Sequence, residues 1–84
     1  MMKAEEVFRV LAQKPFQPVR VHVRDGRILD IRSRQLAVVG VNWLDIGVPA
    51  PGEADAIYDY VVTVPLEDIV QIERGTTRVA PMPG

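Results

Sequence analysis

The stretch PVRVHVRDGRILDI, residues 18–31, decides the reading of this chain. Val19, Val21 and Val23 alternate with Arg20, His22 and Arg24, the period of two that marks a strand with one buried face. Asp25-Gly26 follows, a strong short-range hairpin signal. Leu29 and Ile31 then alternate with Asp30 and Arg32. A two-residue turn at Asp25-Gly26 would set Val21 opposite Asp30, burying the carboxylate and exposing both aliphatics. A three-residue loop, Arg24-Asp25-Gly26, sets Val21 opposite Leu29, Val19 opposite Ile31 and Arg20 opposite Asp30. One residue of slip turns every side chain over, so burial selects the longer loop. That loop is a type I turn with a G1 bulge, and it requires Gly26 at positive φ.

A chain of 84 residues forms one domain, here expected over 1–75 with a flexible tail over 76–84. So short a chain buries a modest share of its surface and is marginal unless something staples it. There is no cysteine, so neither a disulfide nor a thiolate metal site is available. Oligomerisation is the remaining staple. No apolar run reaches the roughly 18 residues of a membrane helix, and MMKAEEVF lacks an apolar signal core. The expectation is a cytoplasmic protein with no membrane partner. The net charge of −1 is unevenly spread. Eight bases face four acids up to Asn42, and two bases face seven acids from Trp43 onward. Such asymmetry suits an anion-binding face, or an attraction between the halves within or between copies. The second is the simpler reading for so small a total charge.

Outward from the hairpin, Lys3 to Lys14 has helical spacing, with Ala4, Val7, Phe8 and Leu11 as its core stripe. Pro15 stops that helix, and the lack of an N-cap side chain before it predicts a frayed start. Pro15-Phe16-Gln17-Pro18 is a stiff connector with Phe16 as a core plug. Arg32 to Gln35 is a polar turn. Leu36 to Val41 reads as a strand covered on both faces, bent at Gly40 and followed by a turn at Val41-Asn42. Trp43 to Val48 and Ile57 to Val64 are strands, joined by a mobile loop over Pro49 to Asp55. Pro65 to Asp68 is a short turn, and Ile69 to Glu73 closes the sheet with apolar residues on both faces by parity. The fold class is mainly β with one N-terminal helix, a small bent antiparallel sheet or barrel of Sm-like or SH3-like kind.

VRVHVRDGRILDI (19–31) resembles the first half of an Sm motif, and LEDIVQIE (66–73) resembles the apolar skeleton of its second half. The resemblance implies an N-terminal helix before a bent five-stranded barrel, and assembly into rings. The chain departs from the Sm pattern where RNA is read. The bending glycine is missing around Asp30 to Arg32, the Asp…Asn signature is absent from RSRQLAVV, and Pro65-Leu66 replaces the basic pair before the last strand. The implication is therefore for fold and assembly more than for RNA. KPFQPVRVHVRDGR (14–27) also resembles a group of short bacterial proteins with Pro-Phe-x-Pro before an alternating strand and Asp-Gly-Arg, which implies no particular activity.

Catalytic chemistry is sparse. His22 is the single histidine and has no second histidine or cysteine to complete a site. Ser33 is the only serine and has no glycine elbow. Glu67-Asp68 offers too few ligands for calcium, and no phosphate loop occurs. The expectation is a protein that is not an enzyme and holds no cofactor or metal. Arg20, His22 and Arg24 share a strand face, with Arg27, Arg32 and Arg34 near the hairpin ends. Such a stripe could follow RNA or another anion, although no aromatics interleave for stacking. Trp43, Tyr58 and Tyr60 are candidates for an interface, a setting that favours aromatics. The leading expectation is a non-catalytic assembly or protein-binding module, a homo-oligomer joined through strand edges. RNA or anion binding through the arginine face is the alternative.

Overall fold

The computed structural model describes residues 2–52 and 57–74. The tail expected over 76–84, and most of the second half of the expected 49–55 loop, lie outside them. Helix α1 (Ala4–Leu11) precedes six strands: β1 (Val19–Val23), β2 (Ile28–Ile31), β3 (Ala37–Val39), β4 (Trp43–Pro49), β5 (Tyr58–Pro65) and β6 (Ile69–Arg74). Single 3₁₀ turns, Arg34–Leu36 and Leu66–Asp68, precede β3 and β6. The strands form two antiparallel three-stranded sheets, ordered β2-β1-β6 and β3-β4-β5. They share one core but do not close into a barrel. No helix among the described residues is long and apolar enough to cross a membrane.

The hairpin takes the register that burial demands. Val19 faces Ile31, Arg20 faces Asp30 and Val21 faces Leu29. The Val23 N–H donates to the Arg27 carbonyl at 2.9 Å, and Gly26 has φ of +99°. Val19, Val21, Val23 and Ile31 are buried, and Leu29 is half-buried against the same core.

The helix is shorter and turned differently from its expected form. It ends at Leu11, with Ala12 as its C-cap still donating to the Phe8 carbonyl, and the helical region is disfavoured at Lys14, which lies before Pro15. Its start is better held than expected. The Glu6 carboxylate accepts the Lys3 N–H at 2.8 Å, half of a capping box supplied from the third position. Val7 and Leu11 are buried and Val10 packs beside them, so the stripe is centred on that side. Phe8 is therefore not core. It lies about a quarter turn around the helix and is 53% exposed. Phe16, expected as a plug, is half-buried against the core.

Three further expectations are corrected. Leu36 to Val41 is not a strand covered on both faces: Leu36 ends a 3₁₀ turn, β3 spans three residues, and Val38 and Val41 are exposed. Among the described residues no helix covers the outer face of the second sheet. The turn at Val41-Asn42 is present, closed by the Gly40 N–H donating to the Trp43 carbonyl. Strand β4 extends through Pro49, where the loop was expected to begin. In β6, parity fails. A bulge beside His22 and Val23 sets Ile72 opposite Val21 and Ile69 opposite Val23. Both isoleucines then reach the core, and only Val70 is left in solvent on the other face.

Candidate functional site

The outward face of β1 carries Arg20, His22 and Arg24, as the alternation requires. Each meets an acceptor of its own chain. Arg20 lies 3.4 Å from Asp30 on β2. The His22 ring pairs with Glu73 on β6. Arg24 donates to the Glu67 carbonyl and lies 3.6 Å from the Asp68 carboxylate. Two of these pairs join the basic first half of the chain to its acidic second half, so the charge asymmetry is used within the fold. Arg27 is held at 2.8 Å by Asp25 inside the hairpin loop. The Arg27 backbone N–H above all lowers the Asp25 carboxyl from its ordinary value; desolvation opposes it, and the Arg27 guanidinium's hydrogen bond and charge add to the lowering. Arg32 also has an interaction of its own.

Arg34 stands apart from the stripe. Its guanidinium donates to the Ala37 carbonyl at 2.8 Å and lies 5.7 Å from the centre of the Phe8 ring. The structure therefore brings Arg20, His22 and Arg24 together and assigns Arg34 to the junction of α1 with β3. An anion approaching the β1 face meets Asp30, Glu73 and Asp68 among the arginines. Exposed ion pairs of this kind stabilise little, but they neutralise the local field.

The three aromatic candidates do not form one patch. Trp43 sits at the β3–β4 turn with its ring lying on Gly40, where a Cβ would overlap it. Tyr58 sits at the far end of the sheet, opposite Pro49, six residues along β4 or about 20 Å from Trp43. A register shift at Val48/Pro49 also separates the two tyrosines. Tyr58 lies over Gly47 on the outer face, where a Cβ on Gly47 would be 3.2 Å from both Tyr58 Cβ and Leu36 Cδ2. Leu36, buried yet outside the main core, is the inner part of that small cluster. Tyr60, opposite Val48, lines the open seam between the sheets with Leu29, Ile46 and Val62. Both tyrosines remain more than half exposed.

The feature missed by periodicity is the edge of β5. This strand has eight residues, pairs with β4 on one side, and has no second partner among the described residues. Tyr58, Tyr60 and Val61 on it, and Ile57 just before it, are exposed. Its sequence signal was Pro65, a residue that sheets admit at edges. A second apolar feature is the groove between α1 and the β3–β4 turn, lined by Phe8, Ala12, Val39 and Val41. No group of three or more metal-ligating side chains occurs among the described residues. Comparison with models of protein families, with curated proteins and with solved structures finds no match.

Proposed function

We propose that this chain is a non-catalytic assembly or protein-binding module that associates with itself through its sheet edges. The observation that supports this is the β5 edge: a long edge strand with half-exposed Tyr60 and Val61 and no lysine to blunt it, its bulge and its one charge confined to Asp59 near the start. Soluble proteins protect such edges by charge, bulge, cover or pairing. The other three edges are protected in those ways. Strand β3 is three residues long, β6 carries a bulge and Glu73, and β2 is four residues long with Asp30 at its middle and lies against β4. A small domain without disulfides also gains most from a partner, because pairing adds buried area that the monomer lacks. An Sm-like relationship belongs to the same proposal, since helix-then-strand order and edge pairing are what it would entail.

Sedimentation equilibrium up to high micromolar concentration tests the reading. A mass rising from 9.4 kDa toward a multiple of it is expected. A monomer throughout overturns the proposal. RNA binding through Arg20, His22, Arg24 and their neighbours has less support, because each arginine named above is already met by an acceptor of the chain. Binding of a cellular RNA pool that weakens steeply with salt would favour it instead.

A further inference from the structure

We propose that two copies pack α1 against α1, antiparallel about a twofold axis, with Glu5 of each chain on Arg9 of the other; this contact goes beyond the strand-edge reading and does not rest on it. A contrast in charge carries the inference. On the β1 face Arg20, His22 and Arg24 each meet an acceptor of their own chain, and on α1 the Glu6 carboxylate accepts the Lys3 N–H. Glu5 and Arg9 are exposed and meet no ion-pair or hydrogen-bond partner among the described residues, not even each other across one helical turn. Beside them on the helix run Ala4, Phe8 and Ala12, and Val39 and Val41 form the far wall of the same groove. Phe8, with Arg34 over one face of its ring, is still 53% exposed, and Val41 is 82% exposed. Apolar side chains gathered on a surface in this way mark a contact site.

Complementarity selects a second copy as the occupant. The level midway between Glu5 and Arg9 on the helix is that of Val7. An antiparallel pair centred there sets each Glu5 opposite the other copy's Arg9, two symmetric ion pairs between helices whose dipoles run in opposite directions. Centred on Glu5, two carboxylates meet; centred on Arg9, two guanidinium groups meet. A parallel pair sets like charge against like throughout. Phe8 lies one residue from the favoured centre, so the two Phe8 side chains stand at levels about 3 Å apart along the axis. Helix axes packed roughly 8–10 Å apart bring all of these side chains within reach. The second helix also gives the exposed walls of the groove an apolar neighbour. An unrelated partner would need only a charge opposite to one displayed here. A surface that carries both signs, one helical turn apart beside an exposed aromatic, is complementary to itself, and a twofold axis closes the contact at two.

Charge exchange tests the contact. Glu5→Arg and Arg9→Glu should each weaken association roughly tenfold in sedimentation equilibrium, because each turns two attractions into repulsions. Both should keep the far-ultraviolet circular dichroism of the wild type. The double variant Glu5→Arg/Arg9→Glu should regain the wild-type affinity, and so should an equimolar mixture of the two single variants, which pairs one chain of each kind. Val61→Lys, which blocks the β5 edge, should leave the helix contact in place. Single reversals that associate like the wild type, or a double variant and a mixture that recover nothing, overturn the helix contact. If association is then lost in Val61→Lys, the strand-edge reading stands without it. Association weakened in Glu5→Arg and kept in Val61→Lys retains the helix contact and removes the strand edge. A wild-type monomer at high micromolar concentration removes both.

Discussion

Gly26 and Gly40 do different things, and two substitutions separate them. A Cβ at Gly26 meets nothing within 4 Å, so Gly26→Ala carries only the strain of φ at +99°. We expect a loss of about 1 kcal/mol or slightly more in a urea melt. At Gly40 the backbone is unremarkable and the obstacle is the Trp43 ring. Gly40→Ala should displace that ring, read as a change in tryptophan emission, and Trp43 is the only tryptophan in the chain. Asp25 is the residue with a pH signature. Its folded carboxyl titrates below the ordinary value of 3.8, chiefly because it accepts the Arg27 backbone N–H. A depressed carboxyl stabilises the fold fully above its ordinary value and loses that contribution as pH falls through the folded one. The hairpin loop should therefore keep its Arg27 contacts at neutral pH and release them only below about 3.8, visible as coupled Asp25 and Arg27 shifts in a nuclear magnetic resonance titration. Titration of Asp25 at or above the ordinary value would show that the loop contact is not formed in solution.

The elements differ in how openly their residues announce them. The β1–β2 hairpin was legible in full, because valines and aliphatics on two facing segments admit one register without burying Asp30. The Val41-Asn42 turn was legible for a similar reason, polar chemistry between two apolar runs. The rotation of α1 was not. Val7, Val10 and Leu11 define one stripe and Ala4, Val7, Phe8 and Leu11 another, and only the position of the sheets chooses between them. Truncation tests the choice: Leu11→Ala should cost 2–5 kcal/mol, roughly, and Phe8→Ala much less. Equal costs would mean that Phe8 is covered. The β6 bulge was hidden because parity assumes an unbroken ladder. Ile69 and Ile72 cannot share a face in a regular strand, and the extra residue, Val70, is what brings both inward. The arginine stripe was legible as a face, but its acid partners come from β2, β6 and the turn before β6, distant in sequence. The separation of Tyr58 from Tyr60 depends on a register shift that leaves no mark in composition.

At the scale of the whole molecule, the two sheets share a core, and β5 has one side unpaired among the described residues. The other edges are short, bulged, charged or covered, whereas β5 runs regularly from Tyr60 to Pro65 beyond its bulge at Asp59. The outward backbone groups that would invite aggregation in a lone chain are the ones that the proposed self-association would pair. Amide hydrogen exchange, resolved by residue along β5 and repeated over a range of protein concentrations, addresses this most directly. The amides of Tyr60, Val62 and Val64 should be protected at every concentration, since they bond β4. Those of Val61 and Thr63 should exchange freely in dilute solution and become protected as concentration rises. Alternate amides that stay unprotected at the highest concentration, or are already protected in the dilute monomer, would contradict the open edge and the pairing built on it.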